Sequence, residues 1–110
     1  MWIFCKAGFF SAVRHRDDPR LVLLRARFKG DLERLLKLHG IEATVEFTPG
    51  GDYAYRATLP QAAWESVVQA EAHDIDYTNF KDAVHDGTSR DPAYMRVWAA
   101  MRAAQEADLH

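Results

Sequence analysis

Phe9-Phe10-Ser11-Ala12-Val13-Arg14-His15-Arg16, Asp17-Asp18-Pro19-Arg20 and Leu21-Val22-Leu23-Leu24-Arg25-Ala26-Arg27-Phe28 together decide the fold of this chain. Two runs of strand-forming residues flank a four-residue segment in which proline presets φ and the aspartates can bond their own backbone, so the stretch reads as an antiparallel hairpin. If Arg16 faces Leu21, then Phe9 pairs with Phe28, Val13 with Leu24 and His15 with Val22 on one face. Phe10, Ala12, Arg14, Leu23, Arg25 and Arg27 then share the other. The first face reads as core and the second as amphipathic and basic.

Downstream, Leu32, Leu35, Leu36 and His39 recur at helical spacing. Asp31 at the start suits the positive end of the helix dipole, and Gly40 stands where a left-handed C-terminal residue is expected. Ala43, Val45 and Phe47 alternate with polar residues, as do Tyr53, Tyr55, Ala57 and Leu59, and the Pro49-Gly50-Gly51-Asp52 turn between them predicts a second hairpin. Pro60 suits the first turn of a helix whose apolar side is Trp64, Val67, Val68 and Ile75. Asp76 or Thr78 is expected to cap a short helix containing Phe80, Ala83 and Val84, with Tyr77 and Phe80 beside Tyr94 and Trp98. Asp91 as N-cap and Pro92 at the first position predict a last helix with Tyr94, Val97, Trp98 and Met101 as its apolar stripe.

The order β, β, α, β, β, α, α predicts an α+β fold. The expectation is a circularly permuted ferredoxin-like arrangement (ββαββα): a four-stranded antiparallel sheet in spatial order 1-2-4-3, helices on one face, and an extra C-terminal helix. Trp2 to Lys6 reads as an extension of the first strand, with Gly8 as a bulge. Length and a 48% hydrophobic composition predict one domain spanning 1–110, with 105–110 as a flexible tail. The net charge of −2 argues against disorder, and no apolar run is long enough to span a bilayer. Lys6 interrupts the apolar opening before it could serve as a secretory signal, so the expected location is cytoplasmic. The single cysteine, Cys5, has no internal partner and reads as a small buried side chain.

Charge is divided unevenly. Residues 1–40 carry nine Lys or Arg against four acids, net +5, and residues 41–110 carry five against twelve, net −7. Arg14, Arg16, Arg25, Arg27 and Arg56 point the same way in the register above, and guanidinium forks suit phosphate. Modules that bind unpaired bases also need aromatic platforms, and only Phe10 is available on that face. The alternative is a solvated or paired arginine surface, or a dimer surface centred on Leu21 and Leu23.

His73, Asp74, Asp76, Asp82, His85 and Asp86 form an acidic, histidine-containing cluster, but the spacing matches neither His-Glu-x-x-His nor a calcium loop. They read as helix caps and hydrated surface, and no metal site is assigned. His15-Arg16-Asp17 has the order of a kinase catalytic loop without the glycine-rich loop or the length of chain that chemistry needs. Walker A and nucleophile-elbow motifs are absent. No catalytic residue and no cofactor are assigned. A pocket of Tyr77, Asn79, Lys81, Tyr94 and Arg96 is weighed against simple aromatic packing.

The opening Met1-Trp2-Ile3-Phe4 through Gly8-Phe9-Phe10-Ser11, the His15-Arg16-Asp17-Asp18-Pro19 turn, Arg25-Ala26-Arg27, Asp52-Tyr53 with Tyr55-Arg56, Ile75 to Lys81, and Tyr94 to Met101 resemble a family of small uncharacterised bacterial proteins. The resemblance implies a small cytoplasmic bacterial protein and carries no activity. Arg14, His15, Arg25, Arg27, Tyr55, Arg56 and Lys81 stand out as candidate ligand-binding residues. The expected function is a noncatalytic interaction or regulatory module that self-associates as a homodimer or engages a protein partner. The alternative is a binder of an anionic ligand, nucleic acid or a phosphorylated metabolite, through the arginine face.

Overall fold

The computed structural model describes all residues 1–110, which form two compact units, Met1–Ile75 and Asp76–His110. The first holds five strands, β1 (Trp2–Cys5), β2 (Gly8–Arg14), β3 (Leu21–Ala26), β4 (Glu46–Phe47) and β5 (Tyr55–Pro60), with helices α1 (Asp31–Leu38) and α2 (Gln61–His73). The second holds α3 (Phe80–Ala83) and α4 (Arg90–Asp108). The class is α+β, and the sheet is wholly antiparallel in the order β1-β2-β3-β5-β4.

The four expected strands lie in the expected order, β2-β3-β5-β4, but the sheet has a fifth. Trp2–Cys5 does not extend β2. The chain reverses through Lys6-Ala7, Cys5 pairs with Gly8, and β1 becomes an edge strand. Gly8 adopts φ 142°, a backbone that L side chains rarely reach, which is why a tight reversal is possible without other turn residues. Met1 completes the edge, its ammonium donating to the Ala12 carbonyl at 2.9 Å.

The first hairpin forms one residue out of the expected register. Ala12 pairs with Leu24, Val13 with Leu23 and Arg14 with Val22. The cause is the turn: the Asp18 carbonyl accepts from Leu21 N, and its carboxylate accepts from Arg20 N, Nε and Nη2. His15 N still donates to the Leu21 carbonyl, so the loop spans Arg16–Arg20, one residue longer than the Asp17–Arg20 segment. A one-residue slip turns every β2 side chain over relative to β3. Phe10 and Ala12 therefore join Val22, Leu24 and Ala26 in the core, while Val13 is exposed.

That core lies between one face of the sheet and both helices of the unit, with Leu32, Leu35 and Leu36 from α1 and Trp64 and Val67 from α2 against Phe10, Leu24, Ala57 and Leu59. Each fully buried Leu or Phe contributes about 1.5–3 kcal/mol. α1 starts after Gly30, which at φ 85° takes the left-handed conformation, and its C-terminal cap His39 is followed by Gly40 at φ 64°. On α2 the apolar side is completed by Glu71, not by Ile75, which is 60% exposed. Buried Glu71 meets His39, the residue ending α1, with Oε1 and Nε2 3.1 Å apart. Ala43 and Val45 pack inward as expected, yet only Glu46–Phe47 pairs as strand.

In the second unit, Asn79 caps α3, its side chain accepting from Asp82 N at 3.1 Å; neither Asp76 nor Thr78 does so. α4 begins at Arg90, one residue before the expected cap, and Asp91 sits inside its first turn, accepting from Asp86 N and Gly87 N. Tyr94 is buried, but Val97, Trp98 and Met101 are 42%, 43% and 67% exposed, so the expected apolar stripe is only partly covered. α4 continues through residues 105–108, which the sequence reading places in a tail. No helix is long and apolar enough to cross a membrane.

Candidate functional site

The sheet face away from α1 and α2 carries one continuous row across all five strands. The pairings Trp2 to Ser11, Ser11 to Arg25, Arg25 to Arg56 and Arg56 to Glu46 set these five residues side by side. Paired residues of antiparallel strands share a face, so this row is a band of side chains on one surface. Two arginines stand directly opposite one another in its middle. Like charges in that relation repel.

Arg25 is half-buried, donates from Nη2 to Ser11 Oγ at 2.9 Å, and keeps a buried Nε with no hydrogen-bond partner. Its guanidinium lies over the Tyr53 ring at 4.5 Å. Arg27, two residues on and just past β3, lies over the same ring at 4.0 Å, donates to the Asp52 carbonyl, and reaches the Asp52 carboxylate at 3.4 Å. Arg56 Nε donates to the Tyr53 carbonyl at 3.4 Å. Cation–π contact holds Arg25 and Arg27 at the Tyr53 ring, a hydrogen bond holds Arg56 at the Tyr53 carbonyl, and Asp52 supplies a single carboxylate. Glu46 forms no ion pair with Arg56 and is exposed.

Tyr53 is the residue that sequence reading misplaced. Alternation set it on the Tyr55 side of a strand, but β5 starts only at Tyr55, and residues 51–54 form a bend that releases Tyr53 from the alternation. The signal was the Gly50-Gly51 pair. A Cβ on Gly51 would come within 3.4 Å of Arg56 Nη2, a close approach that glycine accommodates.

Of the seven candidate residues, Arg25, Arg27 and Arg56 are brought together, while Arg14, His15 and Tyr55, in the same unit, are not. Arg14 lies on the opposite side of β2, a consequence of the register slip, and lines a shallow hollow with Leu21, Trp64 and Glu65. His15 is held in the turn, its Nδ1 accepting from Asp17 N at 3.1 Å. Tyr55 faces the helices and stacks on Phe47 with centroids 5.4 Å apart. Lys81 belongs to the second unit and lies 4.4 Å from the Trp98 ring. Arg16 lies beyond the end of β2 and is exposed.

The aromatic inventory of the arginine face also differs. Phe10, expected there, is fully buried among the helices. Trp2 takes its place at the end of the row, 72% exposed. Phe4 and Phe9, paired on that same face, are half-buried and stack on each other at 4.4 Å.

Elsewhere the chemistry is muted. Cys5 is buried, its thiol donating to the Gly8 carbonyl at 3.6 Å, and desolvation pushes its pKa up to about 11, so thiolate reactivity is suppressed. His73 ends α2 while Asp82, His85 and Asp86 lie in the second unit, where His85 Nδ1 is 2.8 Å from Asp91 Oδ2. No group of three His, Cys, Asp or Glu side chains is arranged to hold a metal. The Asp86 carboxyl is held below its ordinary range by Thr88, whose hydroxyl and amide both donate to it. Tyr77, Phe80 and Tyr94 form a chain of ring contacts at 5.7 and 6.4 Å, and Lys81 and Tyr94, two residues of the expected pocket, line a small cavity with Val84, His85 and Met95. No protein-family model, curated protein or solved structure matches the chain.

Proposed function

We propose that this chain is a noncatalytic binding module whose arginine face takes an anionic ligand, either nucleic acid or a phosphorylated metabolite. The observation that carries the reading is the opposed pair Arg25 and Arg56 with Arg27 beside them, three guanidiniums served by one carboxylate. An anion between them offsets the repulsion and finds planar, bidentate donors. The cytoplasmic bacterial setting and the permuted ferredoxin-like description belong to the same proposal, the latter supported by the β2-β3-β5-β4 order.

The test is an amide NMR titration with a mixed single-stranded oligonucleotide and, separately, with pyrophosphate, at low and moderate salt. Salt-sensitive shifts confined to Ser11, Arg25, Arg27, Tyr53 and Arg56 are expected. Unchanged spectra with both probes reject the reading. They would turn attention to self-association or a protein partner, which is favoured by exposed Trp2 on edge strand β1.

A further inference from the structure

Building on that anionic-ligand reading, we infer that the ligand is a single nucleotide, a nucleoside 5′-phosphate whose base stacks on Trp2 while its phosphate lies between Arg25 and Arg56. Both groups stand in one cross-strand row on one face of the sheet. Neighbouring strands are about 4.8 Å apart, so Trp2 and Arg25, two strands apart, are separated by roughly 10 Å at the backbone. Arg25 reaches over the intervening strand to Ser11, which brings that span within the reach of a base, a sugar and a phosphate. Ser11, 1% exposed and bonded to Arg25, forms the floor between them.

The aromatic supply selects one nucleotide over a strand. Binding a run of unpaired bases takes successive aromatic platforms. Tyr53 is 3% exposed beneath two guanidiniums, and Phe4 and Phe9 stack on each other, which leaves Trp2 as the open ring of this face. The charge selects a terminal phosphate. Asp52 engages Arg27 and Glu46 stands opposite Arg56 without bonding it, so the Arg25 and Arg56 forks remain for the two charges of a phosphate monoester, where a backbone diester brings only one.

The probes are adenosine 5′-monophosphate, ribose 5-phosphate, adenosine and an unphosphorylated trinucleotide, followed by the Trp indole and Arg Nε–H resonances. Adenosine 5′-monophosphate is expected to shift the Trp2 indole together with Arg25 and Arg56. Ribose 5-phosphate is expected to shift the arginines alone, with roughly tenfold or more weaker affinity, the share that base stacking supplies. Trp2→Ala should lower the affinity for the nucleotide to that for the sugar phosphate, and because Trp2 is exposed the variant keeps its fold. Equal affinity for the two phosphates, or tighter binding of the trinucleotide, overturns this inference while leaving the anionic-ligand reading in place. Failure of every probe, and of pyrophosphate, overturns both.

Discussion

Arg25 on β3 and Arg56 on β5 are direct cross-strand partners, two permanent cations side by side in the middle of a five-stranded sheet. The arrangement costs stability, because like charges directly opposite each other in a sheet are unfavourable by about 0.2–1 kcal/mol. Ser11, Tyr53 and the Tyr53 carbonyl orient the two guanidiniums without neutralising either. Arg56→Gln removes the repulsion and one fork of the proposed site. Its thermal stability in phosphate-free buffer should equal or exceed that of the natural chain, by up to about 0.5 kcal/mol. Phosphate should raise the melting temperature of the natural chain and leave that of the variant unchanged, as scanning calorimetry with and without the anion would measure.

Tyr53 acts through its ring. Tyr53→Phe keeps the surface over which Arg25 and Arg27 lie and should change stability by less than about 0.5 kcal/mol. Tyr53→Ala opens a cavity beneath both guanidiniums and should cost about 3–5 kcal/mol in urea denaturation. Equal losses for the two variants would mean that the phenol hydroxyl, not the ring, holds the cluster.

The register of the first hairpin is tested by neighbouring positions. Val13, 37% exposed, should accept lysine at a cost within about 0.5 kcal/mol. Ala12, 6% exposed and facing the helices, should not: Ala12→Lys drives an unpaired charge into the core and should cost about 3 kcal/mol or more. Chemical denaturation of the two variants decides it, and the reverse ranking would restore the register in which Val13 faces inward.

Cys5 makes stability depend on alkaline pH. Its folded-state pKa is raised from 9.0 to about 11, first by desolvation and then by the Glu71 carboxylate. Below pH 9 the thiol is protonated in both states and its contribution is fully present. Between pH 9 and 11 the unfolded chain releases the proton before the folded one, so stability falls until the folded thiol also ionises. Cys5→Ala should remove that part of the alkaline decline. At pH 8 a thiol reagent should react with the native chain only as fast as β1 opens.

Much of the architecture was legible because it rests on local chemistry. The spacing of Leu32, Leu35 and Leu36 between Gly30 and Gly40 marks α1, and the Pro49–Asp52 turn marks the second hairpin. Within the candidate site, Arg25, Arg27 and Arg56 could be placed on one face because β3 and β5 alternate regularly. Tyr53 could not, since it lies in a bend where alternation carries no information, and the role of Trp2 depended on recognising β1 as a separate strand.

By itself the sequence determined the class, the order of four of the five strands and the helix that follows each hairpin, because periodicity and turn residues act over a few neighbours. Only the tertiary structure decided the register, through the way Asp18 closes its loop on Arg20 and Leu21. That single residue of slip settled which half of β2 is core. It separated Arg14 from Arg25, and it put Ser11, with Trp2 beside it, on the face where β3, β5 and β4 present Arg25, Arg56 and Glu46. Side-chain facing in a sheet has a period of two, so a local difference of one residue in a turn becomes a global difference in what the surface presents.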